Sequence, residues 1–400
     1  MKRICYLLHR FPRVTDTFIR REIISLRKAG TEVRVVSVWK PRKPETTDEL
    51  LQEWSDDVGF LLPRSIFSIF GIALTLVVRS PGRFMAAFRL ALATSRPGIR
   101  GLTYQMFYFV EAMLAAKVLQ QWDINHVHNH FGDHSGITTM LASKLSGIGY
   151  SISFHGPHIF LDAKDAAIKE KVKHARFIRC ISYFCRSQLI VLSESSNLST
   201  YKIVHCGLEL SSYQFRLPRE QMCRIFCAAR LAPEKGIEFL IRAMALLVGK
   251  IDVRLRLAGD GPSRLALEEI TRELGVADRV NFLGNLSERD VTRELSSSDL
   301  FVLPSLAEGV PVSLMEAMAV GVPVIATNIA GTSELVEDGR TGLLVRPSDA
   351  HVLADAIIRM RLEYSLRLSA AELGRKKVAD EFDIEKETAK LNTYLLESCD

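Results

Sequence analysis

The protein has 400 residues, of which 48% are hydrophobic and 24% charged, and its formal net charge at neutral pH is +6. This composition excludes a largely disordered, collagen-like or coiled-coil chain and is typical of a folded protein. Its length exceeds what one hydrophobic core usually supports, so we expect two domains. The seven cysteines are scattered and odd in number, which favours reduced, buried thiols in a cytosolic protein over a disulfide framework.

Strand-like and helix-like segments alternate through the first half of the chain, which predicts an α/β domain with a parallel sheet. The first predicted strand, 3–8, leads to a helix that begins near Thr15 or Asp16 and ends at Gly30. The apolar stretch in MKRICYLLHR is too short for a signal peptide, so we expect a cytoplasmic location. The further strands are predicted at 32–39, 124–130, 151–154, 177–181 and 202–205, and the further helices at 103–121, 135–145 and 183–192.

A basic, apolar segment interrupts this series between Asp57 and Glu111. It contains no acidic residue, and its arginines equal the net charge excess of the whole chain; they are Arg64, Arg79, Arg83, Arg89, Arg96 and Arg100. Its uncharged run, 65–78, has 14 residues, fewer than the roughly 20 that span a bilayer. The segment 58–110 therefore predicts an element that lies on an anionic membrane surface, here the inner face of the plasma membrane. The alternative is a pair of core helices with a solvated arginine face.

A second α/β series follows the polar run 210–221, where we place the domain junction. We predict two doubly wound, Rossmann-like domains that face each other across a cleft, over 1–210 and 211–380. A C-terminal helix in 381–400 is expected to pack back toward the first domain. Ligands of such sheets bind outside the carboxyl ends of the strands. The strands of the second series are predicted at 223–229, 254–258, 280–283, 300–303 and 323–326, and its helices at 237–247, 264–274, 288–295, 312–320 and from 350 onward.

Two acids are isolated in the second series. Between 300 and 333 the only charged residues are Glu308 and Glu316, eight positions apart. Pro311 suits the first position of a helix, so Glu308 lies in the loop ahead of it and Glu316 about one turn inside. A buried carboxylate without a partner is costly, and ligand hydroxyl groups are suitable partners. The pair predicts a polyol site; the alternative is a solvated loop acid and a helix acid that caps backbone N–H groups.

Two cations follow the first strand of the same series. Arg230 comes directly after the strand 223–229, and Lys235 precedes Gly236, which opens the next helix. An arginine can bind phosphate through two hydrogen bonds and a lysine acts as a point charge, so the two form a plausible diphosphate site. Alone, they would more often belong to a solvated loop with Glu234 as a local partner. Together with the two acids they predict one ligand that joins a sugar, a diphosphate and a ribose.

The residues that carry these features also resemble a known family. AARLAPEKG, followed by AEGVPVSLMEAMAVGVPVIATNIAGTSELVEDGRTGLLV, resembles the retaining glycosyltransferases of the GT4-like group, which have the GT-B fold. The resemblance is closest over 223–345. In the first half, FPRVTDTFIRREIISL, HNHFGDHSG and FHGPHIF are similar to bacterial exopolysaccharide and colanic-acid-type members, whose acceptors are lipid-linked sugars.

The resemblance implies a role for each candidate residue. Arg230 and Lys235 would hold the donor diphosphate and stabilise the departing nucleotide. Glu316 would bind the ribose hydroxyls, and Glu308 would hold ring hydroxyls of the donor sugar. His155, just after the strand 151–154, matches the N-domain histidine of the family and would bind the sugar or position the acceptor; a satisfied turn histidine is the alternative. The backbone that assists Glu308 would be that of Gly309, Val310, Pro311 and Val312.

Three further features bear on the site, two of them in the first half of the chain. The first loop, HRFPRVTDTF, lacks the glycines that related enzymes often carry, so a phosphate contact there would come from Thr15, Thr17 or the backbone. Histidines 126, 128 and 130 alternate on one strand; a metal site would need that face open and could include His134. We expect instead that His130 lines the cleft. The sequence has no D-x-D motif, which is consistent with metal-independent transfer, and the nucleotide-sugar is expected as a substrate rather than a cofactor.

The sequence thus predicts a retaining glycosyltransferase that moves a sugar from a nucleotide-sugar donor to a lipid-linked glycan in surface polysaccharide assembly. A nucleic-acid partner is not expected, because aromatic and basic residues are not interleaved. One alternative is a nucleotide-sugar epimerase or a phosphorylase of the same fold. Another is a non-catalytic module that only binds a nucleotide-sugar.

Overall fold

The computed structural model describes residues 2–43, 45–156, 160, 167–194 and 197–399. The chain divides into two compact units, of which one comprises Met1–His205 with Glu385–Asp400 and the other Cys206–Ile384. Each unit is built around one sheet whose strand pairs are all parallel. The predicted class, two α/β domains with parallel sheets, is confirmed.

The first unit contains a seven-stranded sheet. The order across the sheet is β3, β2, β1, β4, β5, β6, β7, so the direction of winding switches between β1 and β4. Doubly wound sheets bind ligands at the carboxyl ends of the strands beside such a switch. The strands are β1 (Arg3–Arg10), β2 (Glu32–Trp39), β3 (Val58–Leu62), β4 (His126–His130), β5 (Gly149–Phe154), β6 (Phe177–Cys180) and β7 (Tyr201–Ile203).

Several helices of the first unit pack against this sheet through apolar faces. In the first of them Ile19, Ile23 and Leu26 are buried at helical spacing, and two basic residues occupy its last turn, as the helix dipole favours. The described helices are α1 (Thr17–Lys28), α2 (Asp48–Glu53), α3 (Ile66–Arg79), α4 (Pro81–Ala93), α5 (Ile99–Gln121), α6 (His134–Ser146), α7 (Ile168–His174) and α8 (Tyr183–Ser193), together with most of the C-terminal helix Ile384–Glu397.

The acid-free segment folds largely as helices α3 and α4 and the start of α5. Leu76 is the one residue of α3 that is buried, which does not fit the alternative of a core helix. Among the described residues no single helix is long and apolar enough to cross a membrane. Helices α3 and α4 reach that length and apolar content only as a pair, and the pair is bent by 117°.

The second unit contains a six-stranded parallel sheet in the order β10, β9, β8, β11, β12, β13, so its switch point lies between β8 and β11. Its strands are β8 (Arg224–Ala228), β9 (Arg254–Ala258), β10 (Val280–Gly284), β11 (Leu300–Leu303), β12 (Val324–Thr327) and β13 (Leu343–Val345). Its described helices are α9 (Ile237–Leu247), α10 (Arg264–Glu273), α11 (Glu288–Ser297), α12 (Val312–Val320), α13 (Thr332–Leu335), α14 (Ala350–Leu362) and α15 (Tyr364–Glu381).

The sequence did not predict β3, within the segment assigned to a membrane surface. Its apolar residues do not alternate cleanly with polar ones, and a glycine interrupts them. That glycine, Gly59, lies against the indole of Trp122, where an added Cβ would come within 2.6 Å of a ring carbon. The strand therefore depends on a partner 63 positions away in the sequence, and local patterning could not show it.

A carboxylate is buried between helices α5 and α6 of the first unit. Glu111 accepts a hydrogen bond of 2.9 Å from the Thr138 hydroxyl. Burial raises the pKa of Glu111 from 4.5 to about 7, and the bond from Thr138 only partly opposes this. Between these two pH values the folded chain binds more protons at this site than the unfolded chain. The contribution of Glu111 to folding is therefore complete below pH 4.5 and is lost as the pH rises to about 7.

We predict that Glu111→Gln stabilises the protein at pH 8 by up to about 3 kcal/mol, because the buried side chain then stays neutral. The gain should shrink toward pH 5. Denaturant unfolding at both pH values measures it. Glu49→Gln, at an exposed position of α2, is the control and should change stability little at either pH. Parallel stability–pH profiles for the wild type and Glu111→Gln would contradict the assignment.

Candidate active site

The sequence-predicted residues of the second unit gather at its switch point. Arg230 and Lys235 follow β8, and Glu308 follows β11, and these two strands are neighbours in the sheet. The carboxyl ends of parallel strands meet at one edge, so the loops that hold these residues lie side by side. This is the edge at which the fold class binds its ligands.

Lys235 and Glu308 form a direct ion pair. The Lys235 Nζ lies 2.6 Å from Glu308 Oε1, and the same oxygen accepts a 2.7 Å hydrogen bond from the Ser305 hydroxyl. The side chains are 22% and 11% exposed, so the pair is largely shielded from water. The expectation that Glu308 has no partner in the protein is therefore wrong. That expectation assigned Lys235 to the diphosphate alone, whereas the fold places Lys235 against Glu308.

Backbone contacts fix the two loops against each other. The Leu306 N–H donates to the Glu234 carbonyl over 2.8 Å. Gly236 adopts a positive φ of 59°, and a Cβ there would lie 2.2 Å from the Pro304 carbonyl oxygen. Only glycine fits this conformation and this approach. The tight junction of the loops is what brings Lys235 to Glu308.

Glu316 lies in the second turn of α12 and is held by a tyrosine. The Tyr213 hydroxyl donates a 2.9 Å hydrogen bond to Glu316 Oε1. Tyr213 is buried, so it orients the carboxylate from the protein interior. Pro311 precedes the helix and has no side-chain acceptor for its first N–H groups, those of Val312 and Ser313. The helix start can therefore favour an anion.

Arg230 is held more loosely. Its guanidinium pairs with Glu234, and the arginine side chain is 65% exposed. The alternative that the sequence left open, a solvated loop in which Glu234 is the local partner of Arg230, is thus the arrangement observed. An ion pair this exposed is worth about 0–1 kcal/mol, so an anionic ligand could displace it at little cost.

The first unit presents a chain of contacts at the carboxyl end of β4. His130 Nδ1 lies 2.8 Å from His155 Nε2, and the two rings stack. The opposite nitrogen of His130, Nε2, lies 3.2 Å from Glu22 Oε1, and Glu22 also pairs with Arg179. Burial lowers the pKa of both histidines and outweighs the opposing effect of Glu22, so their rings are neutral at pH 7. Burial alone would raise the pKa of Glu22, but Arg179 and His130 outweigh it and lower that pKa well below its usual range.

The other histidines of β4 have partners within the sheet. His128 contacts the Ser151 hydroxyl through Nδ1 and the Ser153 hydroxyl through Nε2, each at 2.7 Å. A group with metal-binding spacing does exist among the described residues, and it consists of Glu22, His128 and His130, all buried. Glu22 already pairs with Arg179, and both ring nitrogens of His128 are taken by serine hydroxyls. His134 does not join them, since its ring stacks on that of Tyr108.

Two sequence-predicted features lie at the edge of this site. Thr17 is the first residue of α1 and is partly exposed, whereas Thr15 belongs to the loop before it. That loop is held by Asp16, which pairs with Arg13 over 2.9 Å. Of the segment FHGPHIF, positions 157–159 lie outside the described residues.

Tyr213 and the Glu22–Arg179 pair were missed. Tyr213 lies in the polar run that was assigned to the domain junction, where no period marks it. A signal for Glu22 did exist, because it falls on the buried face of α1 beside Ile19 and Ile23. A carboxylate at a core position predicts a buried partner.

Comparisons with known proteins point to one enzyme class. Residues 214–377 match the family described as Glycosyl transferases group 1. A Salmonella typhimurium protein named as a colanic acid biosynthesis glycosyltransferase is 24% identical over 95% of this chain and 96% of its own length. A Bacillus subtilis protein named as a teichuronic acid biosynthesis glycosyltransferase is 27% identical over 87% of this chain and 92% of its own. The crystal structure of Anabaena Alr3699/HepE in complex with UDP covers 99% of this chain and 100% of its own, with 18% identity and a TM-score of 0.74.

We predict that Gly236→Ala destabilises the protein by about 1–3 kcal/mol more than Gly249→Ala. Both glycines have positive φ, so both substitutions incur the same conformational strain. Only the Cβ at position 236 meets backbone, and nothing lies within 4 Å of one at 249. Denaturant unfolding of the two variants measures the difference. Equal losses would show that the close approach to Pro304 does not hold the loops together.

Proposed function

We propose that this chain, whose residues 214–377 are a domain of the group 1 glycosyl transferases, transfers a sugar from a nucleotide-sugar donor bound at the switch point of its second unit. The family and the GT-B fold that the sequence implied are confirmed by the matches. The relatives are glycosyltransferases, which does not favour an epimerase, a phosphorylase or a non-catalytic module. Retention of the anomeric configuration and a surface-polysaccharide acceptor are part of the proposal.

The contact between Lys235 and Glu308 is the observation that carries the donor assignment. It sets a cation beside an acid at one strand edge, and a diphosphate joined to a hydroxylated ring needs both. The Anabaena protein is known in complex with UDP and with UDP-glucose, which supports a donor of this class. A screen of UDP-, GDP- and ADP-sugars would identify the nucleotide base and the sugar of the donor.

Donor binding would replace the partners of each side chain. Lys235 would turn to the diphosphate, and Glu308 would accept hydrogen bonds from the sugar hydroxyls. Arg230 would leave Glu234 for the same diphosphate, and Glu316, oriented by Tyr213, would accept from the ribose. Positive charge at the leaving group stabilises the negative charge that develops there in the transition state.

The role of the first unit rests on the family resemblance. His155, held by His130, would hydrogen-bond the sugar or position the acceptor. A neutral imidazole can donate at one nitrogen and accept at the other, so either role is open to it. We assign no covalent intermediate.

We also propose that transfer is independent of a metal ion. The two cations Arg230 and Lys235 supply the charge that a divalent cation would otherwise bring to the diphosphate. The sequence has no D-x-D motif to hold such an ion. Activity should accordingly be unchanged in excess EDTA.

We predict that Glu308→Ala and Lys235→Ala each reduce sugar transfer at least about a hundredfold, because each removes charge stabilisation from the reacting group. Turnover is measured with the donor that the screen identifies, alongside a folding check by circular dichroism. Glu238→Ala is the matched control, since it removes a carboxylate from an exposed ion pair with Arg242 in the same unit. It should stay within about twofold of the wild type.

Other outcomes of this assay decide against transfer. Near-normal turnover by Glu308→Ala removes the central assignment. Consumption of the donor without any acceptor supports an epimerase, and consumption that requires free phosphate supports a phosphorylase. Tight donor binding that never leads to turnover supports a binding module.

The acceptor is proposed to be lipid-linked and reached at an anionic membrane surface. Helix α3 exposes large apolar side chains, with Phe67 at 85% and Phe70 at 69%. Arg79 and Arg89 are exposed and lie in the acid-free segment. Arg83 has another role, because it donates to the Ser146 carbonyl over 3.0 Å. Apolar side chains together with arginines are the composition that binds a leaflet from one side.

We predict that anionic phospholipid vesicles retain the protein and that Arg79→Gln/Arg89→Gln weakens retention about thirtyfold, since each arginine contributes about 1 kcal/mol at such a surface. Phe67→Ser/Phe70→Ser should weaken it as well. Leu265→Ser removes a comparably exposed apolar residue, 79% exposed in the second unit, and should have no effect. Vesicle sedimentation measures the partitioning. Equal partitioning of all variants would discard the membrane proposal.

A further inference from the structure

A cavity of about 570 Å³ lies in the first unit, apart from the switch-point residues described above. It opens among the end of α4, the start of α5 and the start of α6. Every lining residue that the structure describes is uncharged or basic. Those that bear on ligand chemistry are Arg96, Arg100, Tyr104, Gln105, Tyr108 and His134. We call this cavity the Arg96 pocket.

One side of the Arg96 pocket is a row on helix α5. Arg100, Tyr104 and Tyr108 are four positions apart in turn, so they share one face of the helix. The Arg100 guanidinium carbon lies 5.8 Å from the centre of the Tyr104 ring. The Tyr108 ring stacks on that of His134 at 5.3 Å. The guanidinium, tyrosine and histidine groups of this row thus form one side of the pocket.

The loop that carries Arg96 is fixed by contacts with the same helix. Gly101 packs against this loop so closely that a Cβ would lie 2.2 Å from the Arg96 carbonyl oxygen. Gln105 donates a 2.9 Å hydrogen bond to the Thr94 hydroxyl. The two arginines are therefore brought together by the fold of the chain.

The charge of the described lining favours an anion. It contains two arginines and no Asp or Glu. Burial lowers the pKa of His134, and Lys171 and Arg96 lower it further against the opposing charge of Asp133. At neutral pH the ring is uncharged and can donate a hydrogen bond. Two guanidinium groups with tyrosine and histidine donors suit phosphate oxygens.

An exposed apolar row runs beside the pocket on the same helix. Ile99 is 87% exposed and Phe107 is 61% exposed, and they lie eight positions apart on the stripe next to that of Arg100. Helix α3, which packs on α5, exposes Phe67 and Phe70. A ligand with an anionic head and an apolar chain would contact both kinds of surface. A small soluble phosphate would contact only the basic pocket and not the apolar side chains.

We propose that the Arg96 pocket binds the phosphate or diphosphate group of an amphiphilic acceptor, whose hydrocarbon chain lies along the exposed apolar side chains of α5 and α3. This inference rests on the proposed function, because it names a site for the lipid-linked acceptor. It assigns Arg96 and Arg100 to acceptor binding rather than to general attraction to a membrane.

Calorimetric titration of the full-length protein with farnesyl diphosphate, inorganic pyrophosphate and farnesol tests the site. The wild type should bind farnesyl diphosphate at least tenfold more tightly than either other probe. Arg96→Gln/Arg100→Gln should weaken that binding at least tenfold. Arg34→Gln/Arg42→Gln removes the same net charge from exposed positions elsewhere in the unit and should leave it within twofold. Both double variants should bind the donor as the wild type does.

The outcomes separate this inference from the proposed function. Equal weakening in the two double variants would reduce the site to a general charge effect and overturn it. Pyrophosphate that binds as tightly as farnesyl diphosphate would assign the pocket to a soluble phosphate and overturn the lipid assignment. Absence of farnesyl diphosphate binding, with Lys235-dependent donor binding intact, overturns the pocket alone. If no nucleotide-sugar binds in a Lys235-dependent way, the proposed function fails, whatever the pocket binds.

Discussion

The ion pair between Lys235 and Glu308 is the interaction on which the candidate site depends. Both side chains are mostly shielded from water, and either charge alone at that position would lack compensation, a loss of about 3–5 kcal/mol for a buried pair. Paired, they keep a cation and an acid ready at the strand edge without a ligand. A donor that offers phosphate oxygens to the lysine and hydroxyl groups to the acid gives the lysine a new counter-charge and the carboxylate new hydrogen bonds. The ion pair thus prepares the site for such a donor.

The first unit follows the same physical rule at its own switch point. Glu22 is buried and stays ionised because Arg179 and His130 surround it. The acid in turn fixes His130, and His130 contacts His155. A partly exposed histidine is therefore positioned by charges that are themselves out of reach of water. In the first unit the shielded Glu22–Arg179 pair positions the histidine that would contact a substrate. In the second unit the shielded Lys235–Glu308 pair would contact the substrate itself.

The sequence could predict the alternation of elements and the positions of the candidate residues, but not their pairing. The strand at 300–303 and the helix at 312–320 are confirmed because their apolar runs and the Pro–Gly boundaries are local signals. The strand β3 was missed because its glycine needs Trp122 as a neighbour. The Lys235–Glu308 contact joins positions 73 residues apart and depends on how two loops pack, which no local pattern records. Contacts of this kind join residues that are distant in the sequence, so only the tertiary structure shows them.

The acid-free segment shows why net charge alone is a weak guide to function. Its arginines are chemically alike in the sequence, yet Arg83 binds a backbone carbonyl, and Arg96 and Arg100 line a cavity. Burying a phenylalanine contributes about 1.5–3 kcal/mol, which Phe67 forgoes while it is exposed. Exposed apolar side chains are unfavourable in water, and those that lie beside cations gain most when an apolar, anionic surface covers them. An amphiphile offers both an apolar chain and an anionic head. It could therefore cover the apolar face of α3 and bind the arginines of the pocket at the same time.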